Sequence, residues 1–148
     1  MALTKLPSVV AEGISAVPVG VEVDVAPGLP SFVVVGLADK AVEESRERVR
    51  AAIKHNRYTF PLSRITVHLA PSEKKKTGVH FDLPIALGIL IADGQLTTVN
   101  EADQTLFLGG LSLDGVLQPI NGALIFVEWA KKRGFHRVVL PMDNVGEA

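Results

Sequence analysis

Val17, Val19, Val21, Val23 and Val25 alternate with Pro18, Gly20, Glu22 and Asp24, the period-two pattern of a strand with one buried face. Pro18 has no amide to give a ladder, so it places an edge or the start of the strand there. The turn Pro27-Gly28-Leu29-Pro30 stops this strand, and residues 31–35 resume as a short apolar run of the kind that sits mid-sheet. Their closeness along the chain predicts that the two pair as a hairpin.

Beyond Asp39, a plausible N-cap, the apolar period changes. Ala41, Val42, Ser45, Val49, Ala52 and Ile53 recur at helical spacing, with a charged opposite face. Glu43, Glu44 and Glu47 occupy its first half and Arg46, Arg48, Arg50 and Lys54 its second, complementing the helix dipole; Glu44 and Arg48 form the favourable pair on adjacent turns. Ile65, Val67 and Leu69 then alternate with Thr66, His68 and Ala70 as another strand. Asp82 can cap a further helix with Pro84 in its first turn, buried through Leu83, Leu87, Leu90 and Ile91. Residues 106–113 and 116–120 flank Asp114-Gly115, a strong hairpin signal. Residues 123–133 form an amphipathic helix ended by Gly134, and 137–140 a last strand. This order predicts one α+β domain over residues 1–148, with about three helices packed on a mixed sheet.

Composition adds limits. With 148 residues, 47% of them hydrophobic, the chain can bury a core. No apolar stretch reaches the roughly 18 residues a membrane span needs. The first ten residues lack the apolar core of a secretory signal and there are no cysteines, which suits the cytoplasm. The net charge of -1 hides an asymmetry: residues 40–76 hold ten of the 15 Lys and Arg but four of the 16 acids. A basic segment of this sort suits a polyanionic partner.

Candidate chemistry follows from that segment. Glu73-Lys74-Lys75-Lys76-Thr77-Gly78 is not a phosphate loop, because its glycine follows the lysines and no nucleotide cradle can form. Lys74, Lys75 and Lys76 are instead candidates for phosphate contacts from an exposed turn, against the plainer reading of a solvated loop. Arg46, Arg50, Lys54 and Arg57 are spaced four, four and three apart and fall on one helical stripe that could extend the surface. Phe60 and Phe81 suit the core, leaving Tyr58 as the candidate exposed ring. His55, His68, His80 and His136 sit in no recognisable nucleophile motif, and His80 reads as a loop residue. Metal-ligand spacings are missing from the sequence.

Together, Val21-Glu22-Val23-Asp24, Gly28-Leu29-Pro30-Ser31-Phe32, Val35-Gly36-Leu37, the run from Glu44 to Ala52, Arg64-Ile65-Thr66-Val67, Leu69-Ala70-Pro71, the run from Phe81 to Gly88, Phe107-Leu108-Gly109, Leu111-Ser112-Leu113-Asp114-Gly115 and Pro119-Ile120 resemble the N-terminal domain of the ComM/YifB group of Mg-chelatase-like AAA+ ATPases. In that group the domain is similar to the proteolytic domain of Lon and the C-terminal domain of RadA, which implies the ribosomal protein S5 domain 2-like fold. Lon's serine nucleophile would fall near His80 and its lysine near Leu124. Neither residue type is present, so the resemblance implies a domain without the dyad chemistry.

It also implies a parent that is a hexameric ATPase and branch-migration helicase linked to natural transformation. Its AAA+ module, with ATP and Mg2+, is expected after residue 148; this fragment itself is expected to hold no cofactor. DNA, that module and further copies of the chain are the implied partners, with no membrane. Three functions compete: DNA binding within a ring, protein docking through the same basic surface, and, from another class, Lon-like peptide hydrolysis by some other nucleophile.

Overall fold

The computed structural model describes residues 2–97 and 101–147. Strands β1 (Leu3–Glu12), β2 (Ser15–Ala26), β3 (Ser31–Val35) and β4 (Arg64–Ala70) form a four-stranded mixed sheet in the order β1-β2-β4-β3. Its helices are a single turn α1 (Lys40–Glu43), then α2 (Ser45–His55), α3 (Asp82–Ala92) and α4 (Ala123–Lys132). The α+β class, with three full helices, is therefore as the sequence indicates.

The valine alternation of β2 holds: Val19, Val21, Val23 and Val25 point inward with Ile65, Val67 and Leu69 of β4, onto Val49, Ala52 and Ile53 of α2 and Ile85 and Ile89 of α3. The expected hairpin of β2 with β3 does not form. β4 inserts between them, antiparallel to β2 and parallel to β3, so β3 is an edge strand rather than a central one. A parallel pair needs a crossover, and α1 and α2 supply it. Pro18 lies in the stretch of β2 that extends past Gly20, the last residue paired with β4, so only β1 flanks it there.

β1 is an additional strand that the period-two pattern hides. Its Val10 enters the main core while Val9 enters a second one, with Leu106, Leu108, Ile120, Ala123, Phe126 and Ala130. Burial on both faces erases alternation. The segment expected as one long hairpin arm divides in two. Strand β5 (Thr105–Phe107) pairs in parallel with β8 (Arg137–Val139), while β6 (Gly110–Leu111) and β7 (Leu117–Gln118) make a short hairpin around Asp114-Gly115.

Asp39 caps α1, its Oδ1 accepting from the Val42 amide at 2.8 Å, but the helix pauses at Glu44 before α2 starts. Phe81, not Asp82, stands at the N-cap of α3. Within α3, Leu90 is buried as expected; Asp82, Pro84, Ile85, Ala86, Gly88, Ile89 and Ala92 are buried with it, and Leu83, Leu87 and Ile91 are half-buried. A helix apolar nearly all round gives no phase to read.

Gly88 sets how closely α3 lies on β2: a Cβ there would stand 2.6 Å from Val23 Cγ2. Gly88→Ala is expected to lower unfolding stability by about 1–3 kcal/mol through overpacking, measured by urea denaturation. A loss within error would mean that the helix slides at no cost.

Candidate nucleic-acid interface

The outer face of α2 carries the basic stripe. Arg46, Arg50 and Lys54 belong to it, whereas Arg57 lies past the helix end in a left-handed turn, φ 67°, and continues it from the loop. The Arg46 guanidinium donates to the Phe32 carbonyl at 3.3 Å and, through Nε, to the Glu43 carbonyl at 3.2 Å. It thereby caps an acceptor on the edge strand β3, one way that proteins blunt an open sheet edge.

Arg50 lies over two rings, 5.2 Å from the centroid of Phe60 and 5.9 Å from that of Phe32, within cation–π range, and 3.4 Å from Glu47 Oε1. Lys54, Pro30 and Leu62 complete a shallow groove of about 200 Å³ around these groups. Lys54 and Arg57 are exposed and make no ion pair among the described residues. Phe60 packs half-buried against the core, as its sequence context indicates, and Phe81 is 1% exposed. Tyr58 is 38% exposed.

The lysine run divides differently. Lys75 is exposed, and Lys74 Nζ stands 3.2 Å from Glu12 Oε2. Lys76 is fully buried, which corrects its reading as an exposed phosphate contact. Its ammonium donates to the Gly36 carbonyl at 2.8 Å and to the Pro71 carbonyl, and desolvation lowers its pKa. Lys74 and Lys75 also lie beyond the C-terminal end of β4, whereas Phe32 pairs with Ile65 near its N-terminal end. The two basic clusters are thus separated by roughly the 20 Å length of that strand rather than forming one patch.

Arg48 has a structural role. It forms a bidentate pair with Asp82, Nε to Oδ2 at 2.6 Å and Nη2 to Oδ1 at 3.0 Å, in place of the expected pairing with Glu44. The Asp82 hydrogen bond raises the Arg48 pKa. Asp82 is buried and also accepts from the Leu111 amide at 3.0 Å, so this carboxylate ties α2, α3 and β6 together. One sequence signal for it exists: Asp82 is the lone charge in front of the apolar run of α3.

His80 does lie in the turn before α3, as its loop reading has it, but its side chain is buried. Its Nε2 lies 2.6 Å from the Val9 carbonyl and its ring packs on Phe81 and Phe126, and burial lowers its pKa. With Thr77, Gly78, Asn121 and Phe126 it lines a cleft of about 250 Å³. Leu124, at the entry to α4, is half exposed. A histidine that donates to a backbone carbonyl and an alkyl side chain offer no hydroxyl nucleophile and no amine.

The model for the family described as subunit ChlI of Mg-chelatase matches residues 21–144. The chain belongs to that family. Over all 148 residues it is 40% identical to protein Rv2897c of Mycobacterium tuberculosis, and over 147 residues, 99% of the chain, 39% identical to YifB of Escherichia coli. Competence protein ComM of Haemophilus influenzae is 38% identical over 136 residues, 92% of the chain. These matches agree with the ComM/YifB grouping drawn from the ordered sequence blocks. The ChlI-family chain spans 29% of the length of the first two relatives and 26% of the third. Among its described residues no helix is long and apolar enough to cross a membrane, and no group of three or more His, Cys, Asp or Glu is placed to hold a metal.

Proposed function

We propose that this chain is the N-terminal domain of a ComM/YifB-type AAA+ ATPase, with the S5 domain 2-like fold, and that it grips DNA for a hexameric branch-migration helicase. ATP and Mg2+ bind the ATPase module of the parent, not this domain, and cytoplasmic work on recombining DNA fits the name of ComM as a competence protein. The observation that carries the reading is the groove at α2. There Arg50 is held over Phe32 and Phe60 while Lys54 and Arg57 project without ion-pair partners among the described residues. Such cations release counterions when they meet phosphates.

Fluorescence anisotropy with duplex and forked DNA across a salt series tests it. Lys54→Gln with Arg57→Gln is expected to reduce the slope of log affinity against log salt by about 2, near one unit per lost phosphate contact. Lys74→Gln with Lys75→Gln measures the distant loop separately. If both pairs leave the slope unchanged, DNA contact by these residues is excluded. The rival is then docking onto a neighbouring protomer or the ATPase module. The exposed Glu43, Glu44 and Glu47 on the same helix surface favour it, because they repel phosphates and attract basic side chains.

A further inference from the structure

Glu22 and His68 face each other across β2 and β4, on the side of the sheet opposite to the helices α2 and α3. Glu22 Oε1 lies 2.9 Å from His68 Nδ1, and Ser72 Oγ lies 2.9 Å from His68 Nε2. A carboxylate can only accept, so Nδ1 carries the imidazole proton and Nε2 presents its lone pair to the Ser72 hydroxyl. Hydroxyl, Nε2, Nδ1 and carboxylate stand in the order of a serine-hydrolase relay, which is recognised by geometry and not by sequence position.

Ser72 is exposed on the turn that follows β4, where a substrate can reach it. Lys5 Nζ, 3.7 Å from Glu22 Oε2, borders the cluster. The next row on the same face opens into a cleft of about 590 Å³, lined by Pro7, Gly20, Ala70, Pro71 and Phe135, a size and an apolar character that suit a small molecule. Pro71 in its wall immediately precedes Ser72.

We infer that Ser72, His68 and Glu22 form a hydrolytic site for small apolar acyl esters seated in this cleft. Ser72 Oγ adds to the ester carbonyl as His68 Nε2 takes its proton. The tetrahedral intermediate expels the alcohol oxygen, which receives that proton, leaving an acyl-serine. A water then gives a proton to His68 and adds to the acyl carbon. Ser72 departs with that proton and the carboxylic acid is released. Ser72 and His68 are the catalytic residues; Glu22 acts through His68 as a positioning residue. The site shares no residue with the basic groove, so DNA binding and ester hydrolysis stand or fall separately.

The test uses the 148-residue chain with a fluorophosphonate probe mapped by mass spectrometry and with p-nitrophenyl butyrate, whose phenolate departs with little assistance. The probe is expected on Ser72. Ester hydrolysis is expected to fall at least about 100-fold in Ser72→Ala and in His68→Gln, variants at accessible positions. Glu22→Gln is expected to lower kcat with KM nearly unchanged, because the imidazole loses the carboxylate that fixes its tautomer and its orientation toward Ser72; an unchanged kcat would overturn the positioning role of Glu22. Modification of another serine with Ser72 untouched, unchanged hydrolysis in Ser72→Ala, or equal labelling of Ser72 in His68→Gln would each overturn the site.

Discussion

Arg48→Ala is expected to destabilise this domain by about 3–5 kcal/mol, the cost of breaking a buried ion pair by removing one member. Asp82, whose side chain is 1% exposed, would keep the Leu111 amide but lose both guanidinium contacts, leaving a carboxylate with no countercharge away from water. The Ala41 carbonyl, which accepts from Arg48 Nη2 at 2.8 Å, would lose its donor as well. Arg48→Lys is expected to recover only part of the loss, because a single ammonium cannot reproduce the planar fork. Joint replacement, Arg48→Met with Asp82→Leu, removes both charges and is expected to cost less than the sum of the single changes. Urea denaturation of the wild type, Arg48→Ala, Arg48→Lys, Arg48→Met, Asp82→Leu and the double variant measures this. A loss under about 1 kcal/mol in Arg48→Ala, or simple additivity in the double variant, would show that the pair does not hold the helices together.

Lys76→Met is expected to cost about 2–4 kcal/mol, since it strips the donor from two carbonyls that have left water. Gly36 and Pro71 supply those carbonyls, and the main chain is joined at the same place: the Lys76 amide donates to Leu37 at 2.9 Å and the Asp39 amide to Lys76 at 3.0 Å. The buried side chain therefore anchors the segment from β3 to the cap of α1. Gly36 has no alternative here, with φ at 114° and a Cβ that would stand 2.3 Å from the Leu69 carbonyl oxygen. The pKa of Lys76 is lowered by burial, so the folded state gives up this proton before the unfolded chain does. Wild-type stability thus contains a contribution that rises with pH in the alkaline range below about 10.4 and is lost as pH falls, and Lys76→Met should lack it. If Lys76→Met unfolds at the wild-type urea concentration, the ammonium does not anchor the segment. The same geometry makes alanine at all three lysines a poor probe of DNA binding, because it would unfold the loop as well as discharge it.

Elements with a clear period were legible. The valines of β2, the alternation of β4, the Asp39 cap, the stripe of α2 and the Asp114-Gly115 turn all stand where local pattern places them. Much less of the candidate site could be read. Arg46, Arg50 and Lys54 do share a helix face, yet nothing local shows that Phe32 and Phe60 lie beneath Arg50, since one ring comes from β3 and the other from the approach to β4. Lys74, Lys75 and Lys76 look alike in sequence, and only one of them is interior. Glu22, His68 and Ser72 gave no motif because a strand register brings the first two together.

By itself the sequence determined the strands and helices that carry a clear period, the apolar faces of β2, β4 and α2, and the family to which the chain belongs, because side-chain period and ordered motifs are properties of neighbouring residues. Tertiary structure alone decided that β4 enters between β2 and β3, that Arg48 serves Asp82 rather than Glu44, and that Lys76 is interior. Strand order and the partners of buried charges depend on contacts between residues distant in the chain, where desolvation penalises every arrangement that leaves a charge unpaired.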